Sequence, residues 1–308
     1  MILCCGEALV DMIPKAVASG EVGFVPHAGG AVFNTAIALG RLGARVGLLT
    51  GLSSDLFGRQ LSESLAASHV DASRVILSDR PTTLAFVQLC GGQARYSFFD
   101  ENSAGRMLTV DDMPDLSAEV STLFFGGISL ACEPGASAYA ALLERESGRR
   151  VIMLDPNIRP DFIADADAYR ARIVRLISLA DIVKLSDEDL DWIVEAPNSL
   201  SEKARTLLDT GPALVIVTRG GAGATGVLRG GHEMHVPACE TRVVDTVGAG
   251  DTFNAGVLAH LAECGCLSPD GIALLGPDEV ERAMQFGARA AAVTVSRAGA
   301  NPPWADEL

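Results

Sequence analysis

The run Asp245-Thr246-Val247-Gly248-Ala249-Gly250-Asp251-Thr252-Phe253 places three small residues and a carboxylate at the mouth of an apolar helical pattern. Phe253, Val257, Leu258 and Leu261 recur at helical spacing, which predicts a helix starting near Gly250. Gly-Ala-Gly lets the backbone approach a ligand closely, and the first N–H groups of a helix are free to meet an anion. Asp251 then sits in the first turn beside that anion hole. An isolated Asp there would simply cap the helix, but capping does not call for three small residues ahead of it. Phosphoryl transfer needs the negative charge of the transferred group stabilised and the attacking hydroxyl relieved of its proton. Gly248, Ala249 and Gly250 suit the first task and Asp251 the second. The helix dipole is expected to keep Asp251 ionised and only weakly basic, which suffices if the proton leaves late.

Those residues need a scaffold, and the order of elements predicts one. Short apolar runs of strand length fall at Ile2–Cys5, Val46–Thr50, Leu123–Phe125, Val151–Leu154, Ile182–Leu185 and Ala213–Thr218. Helical patterns lie near 31–42, 55–68, 134–147, 168–179, 199–209, 250–264 and 278–294. Apolar strands alternating with helices imply an α/β fold with a mostly parallel sheet covered on both faces. Such sheets bind ligands beyond the carboxyl ends of their strands. Two regions break the alternation. Residues 12–28 hold a short β-prone piece, Val22–Val25, and residues 83–100 read as a hairpin, Thr83–Cys90 and Ala94–Phe99 around Gly91-Gly92. Both suit a small β-lid outside the main sheet. A second hairpin is expected at Thr225–Arg229 and His232–Val236.

The chain has 308 residues, with 24 Lys+Arg against 39 Asp+Glu and a formal charge of −15. A chain of this length buries roughly 75% of its extended surface, so no disulfide or metal staple is required. The acidic balance argues against nucleic acid or an anionic membrane as partner. The cysteines show no C-x-x-C spacing and are expected to be reduced thiols packed as small apolar residues. The start of the chain has no basic, signal-like region and no stretch reaches the ~20 apolar residues of a membrane helix, so a cytoplasmic location is expected. His232-Glu233-Met234-His235 has metal-like spacing, but in a strand i and i+3 point to opposite faces. His27, His69 and His260 show no partner pattern and are expected to be structural.

Residues 245–253 resemble the C-terminal motif of the PfkB (ribokinase-like) carbohydrate kinases. Upstream, Gly29-Gly30-Ala31-Val32-Phe33-Asn34-Thr35-Ala36, Arg41-Leu42-Gly43, Gly51 and Asp55-x-x-Gly58 resemble that family's N-terminal motif. The two motifs stand in the family's order, roughly 215 residues apart. The resemblance spans 1–308 as a single kinase domain and implies a ribokinase-like three-layer sandwich with a β-lid. It implies that Asp251 is the general base and that Gly248, Ala249 and Gly250 form the anion hole. By the same resemblance Asp11, Gly29, Gly30 and Asn34 contact sugar hydroxyls, Asp11 from the end of the first strand. Thr218-Arg219-Gly220-Gly221-Ala222-Gly223 is similar to the family's nucleotide loop, so Thr218, Gly220 and Gly223 are expected at ATP. A plain hairpin connection would read the same way.

Asp155-Pro156-Asn157-Ile158-Arg159 resembles the D-P-N-x-R element of fructokinases and related ketose or keto-acid kinases, which makes Arg159 a sugar or phosphate contact. An ordinary surface ion pair is the alternative. In Phe98-Phe99-Asp100-Glu101-Asn102-Ser103-Ala104, Glu101-Asn102 replaces the Arg that many relatives carry, and Asn102 is expected at the sugar. Ser186-Asp187-Glu188-Asp189 stands where many relatives have N-x-x-E, an element linked to Mg²⁺ and phosphate. Ser186 is therefore expected near ATP and Glu188 and Asp189 near the metal, although Ser186 reads equally as a helix N-cap. The resemblance also implies a monovalent cation such as K⁺ at Asp245 and carbonyls near Val247 and 294–299. Dimerisation through the lid is common in similar enzymes.

The function expected from this resemblance is ATP- and Mg²⁺-dependent transfer of the γ-phosphoryl group to a primary hydroxyl, D-fructose giving fructose 6-phosphate being the first choice. 2-Keto-3-deoxygluconate, ribose or a nucleoside are other acceptors for the same chemistry. A sugar or nucleotide sensor without activity is the alternative of a different class, against which the presence of Asp251 argues. An NAD-dependent enzyme is excluded because Gly6-Glu7-Ala8-Leu9 lacks G-x-G-x-x-G after the first strand.

Overall fold

A computed structural model describes residues 1–90 and 93–308, so the Gly91-Gly92 turn expected in the lid hairpin lies outside the described residues. The strands in chain order are β1 (Ile2–Cys5), β2 (Leu9–Ala16), β3 (Val22–Gly29), β4 (Val46–Leu49), β5 (Gly51–Ser53), β6 (Ile76–Ser78) and β7 (Leu84–Cys90). They continue with β8 (Gln93–Phe99), β9 (Thr122–Gly126), β10 (Val151–Asp155), β11 (Ile182–Ser186), β12 (Leu214–Thr218), β13 (Ala224–Leu228) and β14 (Glu233–Val236). The helices are α1 (Ala31–Arg41), α2 (Leu56–Ala67), α3 (Gly135–Glu146), α4 (Ala166–Leu179) and α5 (Asp187–Ile193). After them come α6 (Leu200–Leu208), α7 (Ala249–Glu263), α8 (Pro269–Ala273) and α9 (Pro277–Val295).

Eight strands form the central sheet in the order β14-β13-β12-β11-β10-β9-β1-β4. From β12 to β4 neighbours run parallel, and β13 and β14 add an antiparallel edge. Successive side chains of a strand point to opposite faces, and both faces are apolar. Ile2, Cys4, Phe124 and Met153 join one core with α1, α2, α7 and α9. Leu3, Cys5, Phe125 and Leu154 join the other with α3, α4, α5 and α6. Each such side chain contributes ~1.5–3 kcal/mol on burial, which is why these strands read as unbroken apolar runs. The three-layer α/β architecture expected from the sequence is present.

The lid is a separate four-stranded sheet, β3-β2-β7-β8. Here the structure extends the sequence reading. The first lid strand is β2, starting at Leu9, and it pairs with β3 along its length from Leu9↔Gly29 to Ala16↔Val22. Asp11 therefore lies within a lid strand, between His27 and Ala85, and not at the end of the first strand as expected. Asp11, Pro14 and Lys15 interrupt the apolar signal that would have marked it.

The short helices α5 and α8 fell outside the helical stretches read from the sequence, being too brief to show a period. Cys4 and Cys5 are buried as expected, whereas Cys239 and Cys264 are exposed and Cys132 and Cys266 half-buried. Those four lie at loops and helix ends, where no apolar run surrounds them. No helix among the described residues is long and apolar enough to cross a membrane.

Candidate active site

A cavity of about 340 Å³ opens where the lid overhangs the carboxyl ends of the central strands. Asp11 and Leu9 line it from the lid, and Gly30, Ala31 and Asn34 from the start of α1. Asp155 ends β10 and Asn157 and Arg159 follow it, Lys184 belongs to β11, and Thr246 to Asp251 come from the loop before α7 and its first turn.

Gly248 caps α7 in the left-handed region, φ 77°, and a Cβ there would lie 2.7 Å from the Ala300 Cβ. That conformation turns the chain so that the first-turn N–H groups face the cavity. The Ala249 N–H is drawn back to the Thr246 carbonyl at 3.3 Å, and Gly250 and Asp251 have first-turn amides without an intrahelical acceptor. A Cβ on Gly250 would lie 3.1 Å from Lys184 Nζ, so a cation sits directly against the glycine turn. Amides and ammonium together can hold an anion.

Asp251 is 8% exposed, and its Oδ2 accepts a 2.9 Å hydrogen bond from Asn34 Nδ2. Burial pushes its carboxyl up to about 7, with Asp155 pushing the same way and Asn34, Lys184 and Arg159 opposing. The expectation of an ordinary, weakly basic carboxylate is thereby corrected: desolvation outweighs the helix dipole. Asp11, on the lid strand β2, is pushed up to about 6 by burial. Gly29 lies behind it, where a Cβ would come within 2.2 Å of Asp11 Oδ2.

Beneath the cavity, Asp155 Oδ2 accepts bonds from Lys184 Nζ at 3.0 Å and Asn254 Nδ2 at 2.7 Å, all three residues being buried. Glu7, also buried, accepts from the Ala31 N–H and from the Ser129 N–H and hydroxyl, which fixes the start of α1. Burial holds its carboxyl above the usual range against those donors. Glu7, Lys184 and Asn254 were given no site role from the sequence, and Asp155 and Asn157 stood there only as members of the D-P-N-x-R element. Lys184 left a signal, a lysine inside an otherwise apolar strand, which requires a buried partner.

Other expectations are corrected or refined. Asn102 is exposed, with φ 58°, at a turn outside the cavity lining; Phe98 lines it instead. Ser186 is the N-cap of α5, and its hydroxyl and N–H form a capping box with Asp189. Asp189 also accepts the Ile158 N–H at 3.1 Å, so it is engaged in holding the Asp155–Arg159 loop and does not face the cavity. Glu188 is exposed. Thr218 ends β12 and Gly220 and Gly223 follow in a tight turn, all outside the cavity lining, with Gly220 and Gly223 at φ 50° and 84°. A Cβ on Gly223 would meet the Val236 carbonyl at 2.1 Å. Asp245 accepts the Val247 and Gly299 N–H groups, and the Val244 N–H bonds to the Val295 carbonyl. The loop before α7 is thus brought against the end of α9 and the segment that follows it.

Comparison with known proteins gives a consistent result. A fructokinase of Rhizobium leguminosarum bv. trifolii is 50% identical over 285 residues, covering 90% of this chain and 87% of that protein. The structure of a fructokinase from Xylella fastidiosa with bound ATP superposes with a TM-score of 0.89 at 29% identity, covering 97% of this chain and 93% of that one. A fructokinase double mutant from Vibrio cholerae O395, with fructose, ADP and potassium ion bound, gives 0.84 at 26% identity, again over 97% and 93%. The model of the pfkB family carbohydrate kinases matches residues 1–307, and the chain belongs to that family.

Proposed function

We propose that this protein is an ATP-dependent fructokinase, a single kinase domain that transfers the γ-phosphoryl group of ATP to the primary 6-hydroxyl of D-fructose. The observation that carries the reading is the buried Asp251 carboxyl, hydrogen-bonded to Asn34 and facing a cavity shared with Asp11 and Arg159. A base with a pKa of about 7 is matched to removing a hydroxyl proton near neutral pH. The amides around Gly250 and the Lys184 ammonium stabilise charge on the transferred group. Asp11, Gly30, Asn34 and Arg159 position the sugar, and the lid excludes water. ATP lies over the turn that holds Thr218, Gly220 and Gly223.

Mg²⁺ supplies charge neutralisation on the nucleotide phosphates and would be held mainly by those phosphates and water, because Asp189 is engaged by backbone N–H groups. A monovalent cation such as K⁺ fits beside Asp245, where residues 244–247 meet 295–299. Val22, Phe24 and Phe99 expose apolar surface on the lid sheet, which supports a homodimer through that face. A cytoplasmic location accords with this activity.

The test is ADP release with ATP and Mg²⁺ across fructose, ribose, 2-keto-3-deoxygluconate, tagatose and adenosine, with and without K⁺. Fructose should lead by ~10²-fold or more in kcat/KM, as expected where hydroxyl-binding groups left unpaired penalise a wrong sugar. Another winner overturns the substrate and keeps the chemistry. Silence on every acceptor, with ATP still bound, favours the sensor.

A further inference from the structure

At the end of α7 remote from Asp251, a histidine, a cysteine and a glutamate converge. His260 stands in the last turn of α7, Cys264 is its C-cap, and Glu279 occupies the first turn of α9. One ligand atom from each lies within 4.8 Å of the others. His260 Nε2 is 2.6 Å from Glu279 Oε1 and 3.7 Å from Cys264 Sγ. The sequence reading gave His260 no partner, because the i, i+4 cysteine was read as packing and Glu279 lies 19 residues on.

We infer that His260, Cys264 and Glu279 form a site for a thiophilic divalent transition-metal ion of the Zn²⁺ class. Ligand atoms around a tetrahedral Zn²⁺ stand roughly 3.3–3.7 Å apart. The sulfur–nitrogen pair already meets that spacing, and the His260–Glu279 pair need only open by less than about 1 Å. Thiolate, imidazole and carboxylate together select Zn²⁺ or Co²⁺ over Mg²⁺, which prefers all-oxygen sites. Three protein ligands on an accessible rim leave a fourth position for water.

Neighbouring groups hold the ligands in place. Arg282 Nη2 donates to the other Glu279 oxygen at 2.7 Å, so Oε1 is the oxygen turned to the site. The Phe286 ring lies 6.2 Å from the imidazole at an interplanar angle of 34°. On binding, the Cys264 thiol loses its proton to solvent, and His260 ligates through Nε2 with its proton on Nδ1. The Nε2–Oε1 hydrogen bond is exchanged for two metal–ligand bonds. The ion then ties the end of α7 to the start of α9, the two helices that pack together beneath the kinase site.

The experiment is titration of the chelator-treated full-length protein with Co²⁺ under reducing, oxygen-free conditions, without nucleotide. No cysteine among the described residues lines the kinase cavity, so a thiolate-to-Co²⁺ charge-transfer band excludes that cavity, and the cysteine variants separate this site from the other accessible thiols. One equivalent of Co²⁺ should produce the band and Zn²⁺ should displace it. Cys264→Ser should abolish the band and weaken Zn²⁺ binding by at least ~10²-fold, since outer-shell losses alone cost 10–100-fold. His260→Ala should do the same, and Cys266→Ser should leave the band unchanged. Zn²⁺ should raise Tm of the wild type and not of Cys264→Ser. No band in the wild type, or a band that survives Cys264→Ser, overturns the proposal and leaves a hydrogen-bonded cluster only.

Discussion

Asn34 Nδ2 donates to Asp251 Oδ2 at 2.9 Å, joining the first turns of α1 and α7 across 217 residues of sequence. One residue belongs to each of the two motifs that mark this chain as a family member. The bond orients the carboxylate towards the cavity while leaving its other oxygen for a hydroxyl. It also lowers the Asp251 pKa, so the value of about 7 is the residue of a larger upward push from burial.

The activity of the wild type should follow that pKa. Only ionised Asp251 accepts a proton, so kcat/KM is expected to rise with pH and level off above about 7. Asn34→Ala removes the donor that favours the ionised form and should move the midpoint up. A pH–rate profile with a saturating sugar series checks both; a downward shift in the variant contradicts the assignment.

Stability should show the opposite pH trend at the same group. The folded-state pKa lies above the unfolded one, so the fold retains a proton that the unfolded chain releases. The resulting stabilisation is complete below the carboxylate range and is lost as pH rises to about 7. Asp251→Asn should therefore raise Tm, by ~2 °C or more at pH 8 and by less at pH 5. Thermal melts of the unliganded protein at the two pH values decide it.

The buried Lys184–Asp155 pair is expected to matter more as a pair than as two residues. Lys184→Met leaves the Asp155 carboxylate buried and unpaired, at a cost of about 3–5 kcal/mol. Adding Asp155→Asn removes that charge, and Asn254 still has an acceptor opposite it. The double variant should then unfold at higher urea than Lys184→Met alone. Additive losses would show that the pair is not coupled.

Much of this arrangement was legible in the sequence. Strands such as Ile2–Cys5 and Val151–Asp155 are buried on both faces and so announce themselves as apolar runs, and the helix at Asp251 carries its own start signal. Asp251, Gly30 and Asn34 could be placed together only through the resemblance of their two motifs to those of the family. Strand β2 was not legible, because its polar residues face the cavity and the solvent. The buried contacts of Asp155, Asn254 and Glu7 were hidden for a different reason. Their roles come from contacts across 29 to 122 residues, which no local spacing records.

Gly29 offers a test of the lid. Its backbone is not left-handed, yet a Cβ would press within 2.2 Å of the Asp11 carboxylate. Gly29→Ala should displace Asp11 and raise the sugar KM by ~10-fold or more with little change in kcat, as loss of a charged hydrogen bond to the substrate requires. An unchanged KM would mean that Asp11 does not hold the sugar.

The most direct test of the central claim is the turnover of Asp251→Asn with ATP, Mg²⁺ and fructose, alongside binding of ATP and fructose to the same variant. The account predicts intact binding with kcat lowered by at least ~10²-fold, the contribution expected of a general base. Near-normal turnover by a folded Asp251→Asn protein would contradict it.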